Sequence, residues 1–418
     1  MEEKKKIVVL TDNYYPHPMA GGICAHQVAK GLLNQNYDVH VVCLNRGHEK
    51  KLDIFEGITV HRINNPIVYK LRDLSEKITN EKAAGVCYSF AIALNRFFKL
   101  LFLQWYPLMS PMQVLSYVKC CSQINNADIV AEYFSIESLI AGAYLKKRYG
   151  NGLILYNVDS LSNINSVEGI SISYARKKGL AWERKLFGMA DGIILMRCHE
   201  RHYKRKVFDP FRNKMRYSDL PLMERKNGND SYSKGKAEHD TVEWIYTGTL
   251  SSDGRPPFYL IEIFKKLSMN FRLNFYSKGD CEEYLHKQAV LDNRIIVHGH
   301  VPKNELDKAY REANFFISIG NKTGSFLPSK TIEYISYCKP IIHFSYQKHD
   351  VCMDYLERYG HALIIDAYKG EMEKDIVRIN EFLGEESGVT IRYEEVSRKF
   401  KENTPEYTAD LIKSFIDS

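Results

Sequence analysis

The sequence lacks most of the signatures that name a chemistry at sight. It has no GxGxxG fingerprint, no GxxxxGK[ST] loop, no HExxH, no GxSxG and no DxD pair, which removes the common marks of a nicotinamide enzyme, a P-loop ATPase, a zinc protease and an α/β-hydrolase. Its nine cysteines are an odd number without CxxC spacing or a regular framework, so they read as free thiols in a reducing, cytoplasmic compartment. No apolar run is long enough for a bilayer. The best stretch, 90–108, is broken by Asn95, Arg96, Lys99 and Gln104, short of the ~20 residues a span needs. The run from Ile7 to Leu10 behind the opening charges falls below a signal-peptide core and predicts a first strand. Neither sign of charge dominates: 58 Lys and Arg against 51 Asp and Glu give +7. That excess suits a phosphate-bearing ligand or an anionic surface and is too small to argue for nucleic acid.

What is present is ordinary globular material in quantity. The 418 residues, 44% hydrophobic and 26% charged, predict a folded chain of two or three domains. Short β-branched runs alternate with helix-length segments, the pattern of βα units on a parallel sheet. The first set of strands is 7–11, 39–44, 58–63, 128–133, 153–158 and 192–196; a second is 242–246, 272–276, 294–299, 314–319, 339–344 and 362–366. Between them, 221–240 is polar and rich in Gly, Ser and Lys, which reads as linker or exposed loop. The expected organisation is a first α/β domain over 1–220, that linker, a second α/β domain over 241–400, and a helical tail over 401–418, broken at Pro405, that crosses back to the first domain.

One connection is unusually long. Residues 70–125 have helical propensity, carry no acidic residue from Lys82 to Ala127, and cluster Phe97, Phe98, Phe102, Trp105 and Tyr106. A second segment, Arg197 to Arg216, holds eight Lys or Arg against Glu200 and Asp209. Two readings stay open: a seat on an anionic leaflet, apolar residues inserted and basic ones at the head groups, or a helix pair packed on the domain with solvated basic faces.

Three segments carry chemistry. After the first strand, Gly21 and Gly22 remove side chains where the chain turns into a helix, whose free amides can meet a phosphate or a sugar hydroxyl. Many βα loops use a Gly pair only to turn. After a strand ending at Ile319, a Gly-bearing loop (322–327, with Ser325, Phe326 and Leu327) leads to Pro328 and Ser329, good first-turn and cap residues. Lys330 in that first turn, the amides and a hydroxyl can hold a diphosphate, and Glu333 one turn on can accept two hydrogen bonds from ribose. The bland alternative is a capped helix with both side chains solvated. Finally, Gly248, Thr249 and Arg255 follow a strand at the edge where open α/β sheets bind ligands. Arg255 is either a bidentate phosphate clamp or a surface arginine in a Pro-rich turn.

In this order and spacing the segments resemble a GT-B glycosyltransferase, closest to glycosyltransferase family 4, over nearly the whole length. The quoted pieces are the opening strand with its GG loop, YDVHVVCL followed by GITVHRI, AWERKLFGMADGIILM with Glu183, Ala190 and Asp191, then YTGTLSSDGR, FYSKGD, VHGHVPKNELDKAYREANFFIS and PSKTIEYISYCKPII. The resemblance implies two Rossmann-like, doubly wound domains facing a cleft, a nucleoside diphosphate sugar (UDP or GDP) held by the second, and a hydroxyl acceptor, glycan or lipid-linked, held by the first. It implies retention of anomeric configuration, no cofactor and no metal, with Gly22, Asp159, Arg255 and Lys330 as the catalytic group and Gly21, Gly248, Thr249, Lys278, Ser325, Phe326, Leu327, Ser329 and Glu333 around the donor. The setting it implies is cell-surface polysaccharide or glycan synthesis on the cytoplasmic side, peripheral to the inner membrane face. This chain departs from the pattern in three places. Ser325 stands where the first of the family's two glutamates falls, Arg255 where it has lysine, and Asn157 or Asp159 where it has a histidine. The competing readings are a nucleotide-sugar epimerase of the same architecture and, favoured by Ser325, a catalytically inactive GT-B partner subunit.

Overall fold

The computed structural model describes residues 4–45, 49–64, 83, 85–90, 93, 94, 97, 107, 109–164, 167, 170–226, 231–233, 241–323 and 327–417. It divides into two compact units, Met1–Pro221 with Pro405–Ser418, and Leu222–Thr404. Among the described residues no helix is long and apolar enough to cross a membrane.

The first unit is an eight-stranded sheet. Its strands are β1 (Lys6–Leu10), β2 (Asp38–Asn45), β3 (Leu52–Phe55), β4 (Ile58–Asn64), β5 (Ala127–Glu132), β6 (Leu153–Asn157), β7 (Gly192–Met196) and β8 (Met215–Ser218), in spatial order β3-β4-β2-β1-β5-β6-β7-β8. All pairs are parallel except the β3–β4 hairpin. Strands buried on both faces need unbroken apolar runs, which is what β1, β6 and β7 have. One face packs beneath helices α2 (Pro111–Cys121), α3 (Ile136–Tyr149) and α4 (Ile172–Met189). Of the helical insertion expected over 70–125, residues 85–90 and α2 are helical, whereas 70–82, Phe98, Phe102, Trp105 and Tyr106 lie outside the described residues. The strand order reverses between β1 and β5, so the carboxyl ends of these parallel strands flank a topological switch point, the place where such sheets take ligands.

The second unit repeats the plan with six parallel strands, β10 (Val242–Leu250), β11 (Phe271–Gly279), β12 (Ile295–Val297), β13 (Phe315–Ile319), β14 (Ile341–Ser345) and β15 (Ala362–Asp366), ordered β12-β11-β10-β13-β14-β15. Its switch point lies between β10 and β13. Its helices include α5 (Phe258–Lys266), α6 (Glu282–Leu291), α7 (Lys303–Glu312) and α8 (Ser329–Ser336). A small antiparallel pair joins β9 (Ser231–Ser233), inside the stretch read as linker, to β16 (Thr390–Arg392).

The chain closes on the first unit, as expected from the sequence. A helix starting at Pro405 (α9, Pro405–Ile416) packs on the helix that follows β1 (α1, Ala20–Asn34). At Gly31 a Cβ would stand 2.7 Å from the Pro405 carbonyl oxygen and 3.0 Å from the Ala409 Cβ, so only glycine permits this crossing. Ser218 and Thr408 hydroxyls meet at 2.5 Å on the buried side.

Candidate functional site

At the carboxyl edge of the second unit two loops and one helix converge. Strand β10 runs on through Thr247, Gly248 and Thr249, with Gly248 at φ +135 where a side chain is strained. The following turn closes on itself, Arg255 N–H donating to the Ser251 carbonyl at 2.8 Å and Ser251 N–H to that of Arg255 at 3.2 Å. This aims the Arg255 guanidinium at the loop after β13, where its Nε donates to Asn321 Oδ1 at 2.7 Å. Lys322 ties the same two loops together, through its N–H to Gly254 at 2.8 Å and its Nζ to the Ser252 carbonyl at 3.0 Å. Arg255 is therefore built into a loop junction and half-buried, not a free surface residue. Lys278, one residue before the end of β11, lies opposite Thr249 and is exposed.

Helix α8 starts one residue after Pro328, whose backbone is extended. Lys330 and Glu333 sit one turn apart with Nζ and Oε2 at 2.6 Å and side chains 32% and 23% exposed, so a ligand can reach both. Burial works hardest against the Lys330 ammonium, but Glu333, Tyr334 and Asp307 together outweigh it and the pKa is raised. Lys330 also donates to the Tyr310 hydroxyl at 2.9 Å. Leu327 and Ser329 are half-buried at the helix entrance, while Ser325 and Phe326 lie outside the described residues.

Beneath this edge His343, Asp350 and Cys352 alone among the described residues bring three potential metal-ligand atoms within 4.8 Å of one another. The atoms already serve each other: His343 Nδ1 meets Ser318 Oγ at 2.9 Å, its Nε2 meets Asp350 Oδ2 at 3.0 Å, and Cys352 N–H donates to Asp350 Oδ1 at 2.9 Å. Burial raises the Asp350 pKa, yet His343 and the Cys352 hydrogen bonds together outweigh it and leave it lowered. The carboxylate lies where a Cβ at Gly320 would be, 1.9 Å away, so this network sets the start of the loop leading to α8.

In the first unit Gly21 and Gly22 fall in the first turn of α1, both buried. The space they leave is filled from inside: a Cβ at Gly21 would stand 2.5 Å from the Phe134 ring and one at Gly22 2.4 Å from Asn13 Oδ1. Asn13 in turn accepts from Met19 N–H at 2.6 Å and so caps the helix. Across the sheet edge Asp159 follows β6, half-exposed, with His199 Nε2 3.9 Å from its Oδ1. Its loop is pinned by fully buried Glu183, which accepts from Ser160 Oγ at 2.8 Å and Tyr203 OH at 2.9 Å, and from Ser162 Oγ. Burial raises the Glu183 pKa against these donors. Glu132, at the end of β5, is also fully buried; its Oε2 accepts from Thr11 at 2.5 Å, while burial lifts its pKa to about 8.

Tyr310, Thr247, Asn321 and His199 were not singled out from the sequence. The available signal was a polar residue in an otherwise apolar strand, as with Thr247 in VEWIYTGTL and Glu132 in ADIVAE. Their partners are distant in the chain and nothing local names them.

Residues 6–81 match the family model described as "Glycosyl transferase 4-like". No curated protein matches the chain by sequence. Among solved structures, sucrose-phosphate synthase from Thermosynechococcus elongatus is similar at 13% identity and a TM-score of 0.63, over 99% of this chain and 98% of that one. Anabaena HepE, solved with UDP and glucose, is similar at 15% identity and a TM-score of 0.58, over 99% of both chains. A putative UDP-N-acetylglucosamine 2-epimerase from Listeria monocytogenes reaches 11% identity and a TM-score of 0.55, over 100% of this chain and 96% of that one. The fold is thus GT-B, two Rossmann-like units in one chain, and the resemblance read from the sequence holds at that level.

Proposed function

We propose that this GT-B chain is a glycosyltransferase that moves a sugar from a nucleoside diphosphate sugar, UDP-linked in the first instance, to a hydroxyl acceptor. The observation that carries the reading is the pair of Lys330, in the first turn of α8, and Glu333, one turn on, reachable from solvent at the carboxyl edge of the second unit. An ammonium beside a helix N-terminus matches a diphosphate, and a carboxylate one turn on matches vicinal ribose hydroxyls. That HepE is solved with UDP and glucose adds support for the base.

In this reading the glycosidic bond to the diphosphate breaks as an oxocarbenium-like sugar forms. Negative charge grows on the leaving phosphate, and Lys330, Arg255 and the α8 amides stabilise it without reorganising. Lys278, Gly248, Thr249, Ser325, Phe326, Leu327 and Ser329 line the donor; Gly21, Gly22 and Asp159 serve the acceptor side of the first unit. The acceptor hydroxyl attacks the face the diphosphate leaves, with retention, and no divalent metal is required. The class of product is a surface polysaccharide or glycan, assembled on a lipid-linked acceptor at an anionic, cytoplasmic membrane face.

Titration calorimetry with UDP and GDP, followed by a transfer assay, tests the reading. Binding of a nucleoside diphosphate that fails when Lys330 is changed supports it; absence of binding by either overturns it. The similarity to a putative epimerase favours a second reading, in which the donor sugar is interconverted with no acceptor present. Product analysis after incubation with donor alone separates the two.

A further inference from the structure

Behind Lys330 lies a chain of buried hydroxyls whose direction can be worked out. Lys330 Nζ stands 2.9 Å from Tyr310 OH, Tyr310 OH 2.6 Å from Thr247 Oγ1, and Thr247 Oγ1 2.9 Å from Tyr334 OH. An ammonium only donates, so the Tyr310 oxygen accepts from Lys330 and its own hydrogen goes to Thr247. Thr247 Oγ1 then donates to Tyr334, which also receives the Thr247 N–H at 2.9 Å and returns its hydrogen to the Thr247 carbonyl at 3.2 Å. Every hydroxyl proton has one place, and the chain ends on the backbone of β10.

The rings that carry it cannot drift. Tyr310 and Thr247 are 0% and 3% exposed. Phe316 stacks on Tyr334 at 4.5 Å, and Tyr310 meets Phe316 at 5.4 Å and Tyr337 at 4.9 Å edge-on. Of the three Lys330 N–H bonds, one is directed at Glu333 and one at Tyr310. Two fixed directions on a tetrahedral nitrogen determine the third, which has no hydrogen-bond partner among the described residues. Without Tyr310 the flexible lysine stem is held by Glu333 alone and the ammonium can rotate about that single contact.

We propose that Tyr310 is a positioning residue, which, anchored by Thr247, orients the Lys330 ammonium toward the phosphates of a nucleoside diphosphate. The inference rests on the reading of Lys330 as the phosphate ligand, and the test separates the two. UDP and uridine affinities are measured for wild type, Tyr310→Phe, Thr247→Val, Lys330→Ala and the Tyr310→Phe/Lys330→Ala pair. Tyr310→Phe is expected to weaken UDP by about three- to tenfold with uridine unchanged, since only the diphosphate meets the ammonium. Thr247→Val, which keeps volume and leaves both tyrosine rings in place, should do the same. The double variant should bind UDP no worse than Lys330→Ala alone, because Tyr310 acts through that lysine. Unchanged UDP affinity in both Tyr310→Phe and Thr247→Val, with Lys330→Ala weakened, overturns the relay and leaves the site standing. Equal losses for UDP and uridine, or additive losses in the double variant, assign Tyr310 to packing and overturn it as well. Unchanged UDP affinity in Lys330→Ala overturns the site itself.

Discussion

Lys330 and Glu333 are neutralised by each other in the free protein, and a nucleotide must offer both a better arrangement. Removing Lys330 as alanine deletes a charge-assisted phosphate contact worth about 1.5–3 kcal/mol, so UDP should bind roughly tenfold more weakly or worse by calorimetry. Glu333→Gln should lower the preference for ribose over dideoxyribose nucleotides; equal affinity of the two sugars in wild type contradicts the ribose role. A different residue governs stability against pH. The Glu132 carboxyl titrates near 8 in the fold because burial outweighs the Thr11 bond, against 4.5 as a free side chain. Between those values the native state holds a proton that the unfolded chain releases, so this carboxyl's contribution is present below pH 4.5 and is lost as pH rises through 8. Glu132→Gln removes that slope, of order 1 kcal/mol per pH unit. Urea unfolding of wild type and variant from pH 5 to 8 should show the variant gaining ground steadily; parallel curves contradict the assignment.

Helices in this molecule are joined by close crossings, and the glycines there are not equivalent. Gly31→Ala pushes a methyl into the Pro405 carbonyl and must separate α1 from α9, at a cost of about 1–3 kcal/mol. Gly188, exposed near the end of α4, has nothing within 4 Å of its added Cβ, so Gly188→Ala should stabilise by roughly 0.4–1 kcal/mol through the unfolded chain. Opposite signs in thermal melts of the two variants are the expected result. The core strand GIILM was legible to the residue because burial on both faces demands a contiguous apolar run. The edge strands β3 and β8 were not, since each is four residues long, β3 with no buried residue and β8 half-polar. β8 begins within the segment that reads as a basic surface run, Arg197 to Arg216. In the site, Lys330 and Glu333 were legible because they lie one turn apart on a single helix. Tyr310 and Thr247 were not, because their meeting depends on α7 and β10 packing side by side, which no local pattern encodes.

In the proposed transfer, basic side chains and amides carry the charge of the leaving group with no metal beside them. Lys330 and Arg255 are fixed by their own partners before any ligand arrives, so turnover in EDTA should equal turnover with added magnesium. Restoration of an EDTA-abolished rate by magnesium or manganese contradicts that account.

The acceptor poses the larger question, because a lipid-linked one needs the protein at a membrane. Within the first unit Val86, Phe90 and Phe97 are 71%, 59% and 57% exposed, and on α2 Met112 and Leu115 are 74% and 58% exposed. These lie in the stretch from Lys82 to Ala127 that holds no acidic residue. Single exposed apolar residues need no explanation, but several in a segment free of negative charge suit an anionic leaflet, where insertion and attraction reinforce one another. Each basic residue near such a surface contributes about 1 kcal/mol, and Arg201, Lys204, Arg205 and Lys206 are exposed in the same unit. The protein should therefore pellet with phosphatidylserine-containing liposomes at low salt and come off at high salt. Because Val86, Phe90 and Phe97 already face water, changing all three to Ser should weaken pelleting while leaving the melting temperature in place. A lowered melting temperature would show that they pack in the folded chain, and wild-type protein left in the supernatant at low salt would favour a soluble acceptor.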